Sequence, residues 1–249
     1  RLNEIYPDKR LAQLALRAAR PGIFPNGAYG AGRSAMNGGI FGCHARSGQG
    51  SAFRQIGEVK IAVFTVVNAL GAVTDRDGNV VACHKGSNWP DDLKASDLMG
   101  AAPASLQPGW NGDDSGQDAE RKNTTISVVV TNRSMSPAEL QRLAVQVHTS
   151  MARGIQPFAS EFDGDVLYAV STNEVETGPG QTLPSMEIGV TASELMWDAI
   201  LAAMPAEQVT QPEPNPDLNI PQSTLDSYAG TYRFSHLAEL TVRVEDGAL

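Results

Sequence analysis

At Asn123 the texture of the chain changes within one residue. Residues 84–122 are rich in Pro, Gly, Asp and Ser and hold no sustained apolar period; Asn123-Thr-Thr-Ile-Ser-Val-Val-Val130 then begins a β-branched strand without preamble. A stretch of 39 residues without a pattern is uncommon inside a compact domain and marks a functional or mobile segment. A threonine at the start of a buried strand, directly after such a segment, has the form of an N-terminal nucleophile before processing. Cleavage ahead of Thr124 would free an α-amine with a pKa of about 7.7–8.0, able to take the proton of its own side-chain hydroxyl at neutral pH. The plainer alternative is a strand start and nothing more. Asn123-Thr-Thr125 and Asn132-Arg-Ser134 also both fit the N-x-[ST] glycosylation pattern.

Around this junction the chain alternates between strand and helix signals. Pro7 to Arg20 reads as a helix with proline at its first position, and residues 22–51 are glycine-rich and aperiodic. Val59 to Val67 is a nearly continuous β-branched run, expected as a buried strand, and Asp75-Arg-Asp-Gly78 is a hairpin turn returning through Asn79–Ala82. Ser136-Pro-Ala-Glu139 is a capping box, followed by Leu140, Leu143, Ala144, Val147 and Met151 at the spacing of one buried helical face. Val166–Ser171 is a further strand, and Thr191-Ala-Ser-Glu194 is expected to cap a last helix through Ala203. Strands mixed with a few helices predict an α+β or αββα domain over residues 1–203. A proline-rich linker at 204–221 follows, and from Leu225 the segment 222–249 alternates like the start of a small β domain. The beginning at Arg1 and the end just past Asp246-Gly247 are those expected of a fragment or a processed chain, and no targeting segment is readable.

Several function classes are disfavoured. A net charge of −9 argues against nucleic acid or an anionic membrane surface as the main partner, and no run of about 18 apolar residues exists to span a bilayer. The pairs Cys43-His44 and Cys83-His84 lack the ligand spacing of zinc sites, so no metal or cofactor is expected; the two cysteines fit one disulfide or two free thiols. S-x-x-K, G-x-S-x-G, H-E-x-x-H and the phosphate-cradling G-x-x-x-x-G-K-[ST] are all absent.

Asn-Thr-Thr-Ile-Ser-(x)3-Thr-Asn-x-x-Met-Ser-Pro-x-Glu-Leu at 123–140 resembles the processing site of the nylon-oligomer endohydrolases, within the wider family of L-aminopeptidase/D-esterases and β-peptidyl aminopeptidases. The resemblance extends through Gln146-Val-His148, Arg153-Gly-Ile-Gln-Pro-Phe158, Asp163-Gly-Asp165 and Ser193-Glu-Leu-Met-Trp-Asp-Ala199. Upstream it takes in Tyr6-Pro-Asp-Lys9, Gly30-Ala-Gly32, Gly48-Gln-Gly50 and Phe53-Arg54. It implies a self-cleaved αββα hydrolase of small peptides, amino-acid amides or aminoalkanoate oligomers, cut between Asn123 and Thr124 and assembled as a tetramer of two-chain protomers. By the same resemblance Thr124 is the nucleophile and Asn68 an oxyanion donor. Asp163 and Asp165 orient the Thr124 amine or bind the substrate's ammonium end, and Glu120 is an accessory acid. Two departures stand out: Gly39 aligns with a family lysine, and the family's N-terminal portion with its active-site tyrosine has no counterpart. These motivate the rival expectation of a non-catalytic fragment or assembly module. The tail, Leu225 to Tyr232 and Leu240 to Val244, resembles the start of a small β domain appended to β-lactamase-related hydrolases.

Overall fold

The computed structural model describes residues 9–41, 45–82, 93–101, 123–161, 163–176, 184–205, 221–233 and 239–243. The expectations for Cys43, His44, Cys83, His84, Glu120 and most of the 204–221 linker lie outside these residues. In chain order the elements are α1 (Lys9–Ala18), β1 (Met36–Asn37), β2 (Ala45–Arg46), β3 (Gln49–Ile56), β4 (Val59–Val66), β5 (Ala72–Val73) and α2 (Ala95–Ala101). After these come β6 (Ile126–Arg133), α3 (Pro137–Ser150), β7 (Ile155–Gln156), β8 (Val166–Val175), α4 (Ser185–Ala202), α5 (Gln222–Tyr228), β9 (Gly230–Arg233) and β10 (Glu239–Val242). The chain divides into Phe24–Val209 and a smaller unit of Arg1–Ile23 with Thr210–Leu249.

In the larger unit four strands form one mixed sheet in the order β3-β4-β6-β8. The β3–β4 and β4–β6 pairs are antiparallel, whereas β6 and β8 run parallel and need a crossover, which α3 supplies between them. The capping box forms as the sequence reads: the Glu139 N–H donates to Ser136 Oγ, and the Ser136 N–H donates back to Glu139 Oε2 at 2.8 Å. Helices α3 and α4 cover one face of the sheet. Leu143 and Val147 from the first and Met151 just past its end, with Ile188, Met196 and Ile200 from the second, pack on Ile61, Val63 and Val129. Alternation decides which strand residues take part. Val59, Ile61 and Val63 are buried, while Ala62, Phe64 and Val66 on the opposite face are only half-buried, so the β-branched run is not enclosed on both sides as expected. That opposite face carries Phe53, Ile126, Tyr168 and Val170 exposed. Sheet and helices thus supply one β layer and one α layer of the αββα arrangement.

Five local readings are corrected. Strand β3 starts at Gln49 inside the segment taken as aperiodic, because its glycines serve close packing: a Cβ at Gly50 would collide with the Ala199 carbonyl of α4, and one at Gly48 with the Gly27 carbonyl. Helix α4 starts at Ser185 after Pro184, not at Thr191. The Ser193 hydroxyl donates to the Gly189 carbonyl at 2.8 Å, an interior i−4 bond, and Gly189 is there to admit Gln146 of α3. The turn at Asp75–Gly78 forms, with the Asp75 carboxylate accepting from the Asp77 and Asn79 N–H groups, but its return is a pair of isolated bridges, Thr74↔Val80 and Asn79↔Lys94, and α2 interrupts the segment expected to lack structure. In the smaller unit α5 occupies 222–228, so antiparallel β9–β10 begins at Gly230 and not at Leu225.

Candidate active site

Pairing register brings the site together. Val66 lies opposite Ile126, and Ile126 opposite Val166. Two residues further back along β6 this register sets Thr124 between Asn68, just past the end of β4, and Gly164, just before β8. Hydrogen bonds carry the ladder on beyond the regular strands. The Thr124 N–H donates to the Asn68 carbonyl at 2.7 Å, and the Gly164 N–H donates to the Asn123 carbonyl at 2.9 Å. The Val166 N–H donates to the Thr125 carbonyl at 3.0 Å, while Asn123 and Asp163 form a parallel bridge. Thr124, Asn123, Asn68, Asp163 and Asp165 therefore share one end of the sheet. Glu120 lies outside the described residues.

Each side chain is held for a reason. The Thr124 hydroxyl donates to the carbonyl oxygen of Asn123 at 2.6 Å, so this side chain lies against the Asn123–Thr124 peptide bond. Asn68 Oδ1 accepts from the Met36 N–H at 3.2 Å, which leaves the amide Nδ2 as the end free to donate. Asp165 bridges two segments, accepting from the Thr125 N–H at 2.6 Å and from the Ala159 N–H at 3.1 Å. Ala159 has φ 51°, a left-handed conformation costly for a residue with a Cβ, and this bond fixes it. Asp163 Oδ2 accepts from the Leu70 N–H at 3.3 Å, while its buried Oδ1 has no hydrogen-bond partner among the described residues.

Burial, with the Asp165 carboxyl beside it, pushes Asp163 up from the ordinary 3.8 to about 6. A carboxyl whose folded pKa exceeds its unfolded one contributes stability that is full below about pH 3.8 and is lost as pH rises through about 6. In an uncleaved Thr124→Ala background, the urea midpoint of the Asp163 protein relative to Asp163→Asn should therefore fall between pH 4 and pH 7. A flat difference would show that Asp163 titrates as an ordinary exposed carboxyl.

Sequence reasoning missed the backbone donors of Met36, Leu70 and Gly164, which have no side-chain signature. The second glycosylation pattern is occupied structurally. Asn132 is buried, accepting from the Lys60 N–H at 2.7 Å and donating to the Glu58 carbonyl at 3.0 Å. Gly39, where the resemblance has a lysine, opens a single 3₁₀ turn, Gly39–Phe41. Among the described residues no cluster of three or more His, Cys, Asp or Glu could hold a metal, and no helix is long and apolar enough to cross a membrane.

The chain is 41% identical over 212 residues to the 6-aminohexanoate-oligomer endohydrolases of Paenarthrobacter ureafaciens and Kocuria sp. (strain KY2), matching 82% of its own length. It spans 57% of the length of those relatives. An uncharacterized aminopeptidase of Mycobacterium tuberculosis is 31% identical over 168 residues, covering 63% of this chain and 46% of its own. Among solved structures, a beta-aminopeptidase of Burkholderia sp. superposes with a TM-score of 0.48 at 17% identity, over 78% of this chain and 50% of that one. The family model for peptidase family S58 matches residues 2–214, which include the whole larger unit with its Asn123–Thr124 junction and its Asp163-Gly-Asp165 segment, and the chain belongs to that family.

Proposed function

We propose that this chain is an amide hydrolase that cuts itself between Asn123 and Thr124 and then uses Thr124 as its N-terminal nucleophile. The observation that carries the reading is the Thr124 hydroxyl lying 2.6 Å from the Asn123 carbonyl oxygen, in a member of family S58. Once freed, the Thr124 amine stays beside the Asn68 carbonyl that its amide nitrogen already faces, and serves as the base for its own hydroxyl. The hydroxyl attacks the substrate amide, the Asn68 amide group donates to the oxyanion, the leaving amine takes the proton, and water releases the acyl-enzyme. Asp163 and Asp165 hold the cationic end, either the Thr124 ammonium or that of the substrate; the unpartnered Asp163 Oδ1 suits this role. Identity to the endohydrolases favours linear amide oligomers of short amino acids as substrates, and a tetramer of cleaved protomers is part of the same proposal. The family match ending at 214 supports assigning 1–203 to the hydrolase part, 204–221 to a linker and 222–249 to a separate small β unit.

Intact mass and N-terminal sequencing of the purified protein test the reading. The expected result is two pieces, 1–123 and 124–249, the second beginning Thr-Thr-Ile-Ser-Val. A chain that stays whole through prolonged incubation overturns it.

A further inference from the structure

Gly164 carries no side-chain signature in the sequence, yet it is in direct contact with the bond proposed to be cut. Its N–H donates to the Asn123 carbonyl oxygen at 2.9 Å, the same oxygen that the Thr124 hydroxyl reaches at 2.6 Å. A Cβ at this position would lie 2.7 Å from Thr124 Oγ1 and 3.5 Å from the Asn123 oxygen. Gly164 has no positive φ, so backbone conformation does not demand a glycine there; space for the nucleophile does.

We propose that the Gly164 backbone N–H is the oxyanion donor for self-cleavage, distinct from the Asn68 side chain that serves substrate turnover. The inference rests on the cleavage reading given above. In the step, Thr124 Oγ1 forms a bond to the Asn123 carbonyl carbon, and the carbonyl π pair moves onto the oxygen held by Gly164. Collapse breaks the Asn123–Thr124 C–N bond, and the hydroxyl proton ends on the departing nitrogen. Water then hydrolyses the resulting ester to the Asn123 carboxylate and a free Thr124 hydroxyl. The donor is pre-aimed because both flanking aspartates are pinned, Asp163 by the Leu70 N–H and Asp165 by those of Thr125 and Ala159. Asp163 and Asp165 are thereby positioning residues for maturation as well as the proposed holders of a cation. A fixed donor costs no reorganisation when charge develops, and deleting one such donor slows comparable reactions by about 10²–10³-fold.

Two replacements in the full chain test this, with cleavage followed by intact mass over time. Gly164→Ala keeps the N–H but presses a Cβ against Oγ1. Replacement of Gly164 by glycolic acid, introduced by cell-free suppression, removes the N–H and adds no atom in the nucleophile's space. The expected result is that both precursors persist, with cleavage slowed about 10²-fold, while circular dichroism matches that of uncleaved Thr124→Ala and the urea midpoint of the glycolate chain falls only by what one lost backbone hydrogen bond costs. Should Gly164→Ala fail to fold, the glycolate chain still decides. Cleavage of the glycolate chain at the native rate overturns the donor assignment and leaves the Thr124 reading intact. A native chain that never splits, or a Thr124→Ala chain that does, overturns the reading and the donor with it.

Discussion

Replacing Thr124 by alanine should leave one 249-residue chain in place of two pieces and cost nearly all amide hydrolysis. One oxygen atom accounts for both losses. Without Oγ1 nothing attacks the Asn123 carbonyl, so the Thr124 nitrogen remains an amide with no lone pair available to act as a base. The nucleophile and the base that would activate it disappear together, and turnover should fall by on the order of 10⁴–10⁶-fold, as in other nucleophile deletions. Folding should be nearly unaffected. The bonds that place residue 124, from its N–H to the Asn68 carbonyl and from the Gly164 N–H to the Asn123 carbonyl, are made by backbone and survive in alanine. Thr124→Ser separates chemistry from shape. It retains the oxygen and loses the methyl group that restricts χ1, so it should still cleave, more slowly, because the hydroxyl samples more rotamers. Intact mass, an oligomer-hydrolysis assay and a urea titration on the three proteins check these outcomes. Splitting of the alanine variant at the native position would end the case for Thr124.

Why this site was half legible follows from where its parts lie. Local signals were enough for the elements that flank it. The β-branched run after Asn123 became β6, and Ser136-Pro-Ala-Glu139 became the cap of α3, because strand propensity and capping chemistry act within a few residues. Strand β3 was hidden because Gly48 and Gly50 read as loop, whereas their lack of side chains lets the strand lie against Gly27 and α4. The start of α4 was misplaced for a similar reason: Gly189 looks like an interruption until Gln146 is seen beside it. Composition shows neither approach, since both depend on residues far away in sequence. The same holds for the site. Asp163 and Asp165 could be singled out only by resemblance, and the burial that raises Asp163 comes from the assembled sheet end. Asn68 and Gly164 are 96 residues apart and meet Thr124 only through two strand registers, one antiparallel and one parallel.

That register leads to a second large effect, in which maturation and turnover come apart. Asn68→Ala should lower hydrolysis of amide oligomers by about 10²–10³-fold, the usual loss for one oxyanion donor, while self-cleavage continues. The reasoning depends on which atom of Asn68 does what. Its backbone carbonyl receives the Thr124 N–H at 2.7 Å and is still present in alanine, so the scissile bond remains in register. The Asn123 oxygen is held by the Gly164 N–H, so the lost amide group is not needed for the cut. Alanine also strips the Met36 N–H of its acceptor, and a lost hydrogen bond of this kind costs about 1 kcal/mol of stability. A drop in activity could therefore be blamed on loosened structure, and Asn68→Asp removes that objection. The aspartate keeps an oxygen for Met36 but offers the oxyanion no donor and places a negative charge beside it. It should fold and cleave like the native protein and hydrolyse oligomers even less well than the alanine variant, with the loss in kcat rather than KM, because the missing interaction belongs to the transition state. Native kcat in either variant would take the oxyanion role away from Asn68. Failure of Asn68→Asp to cut itself would mean that one donor serves both reactions.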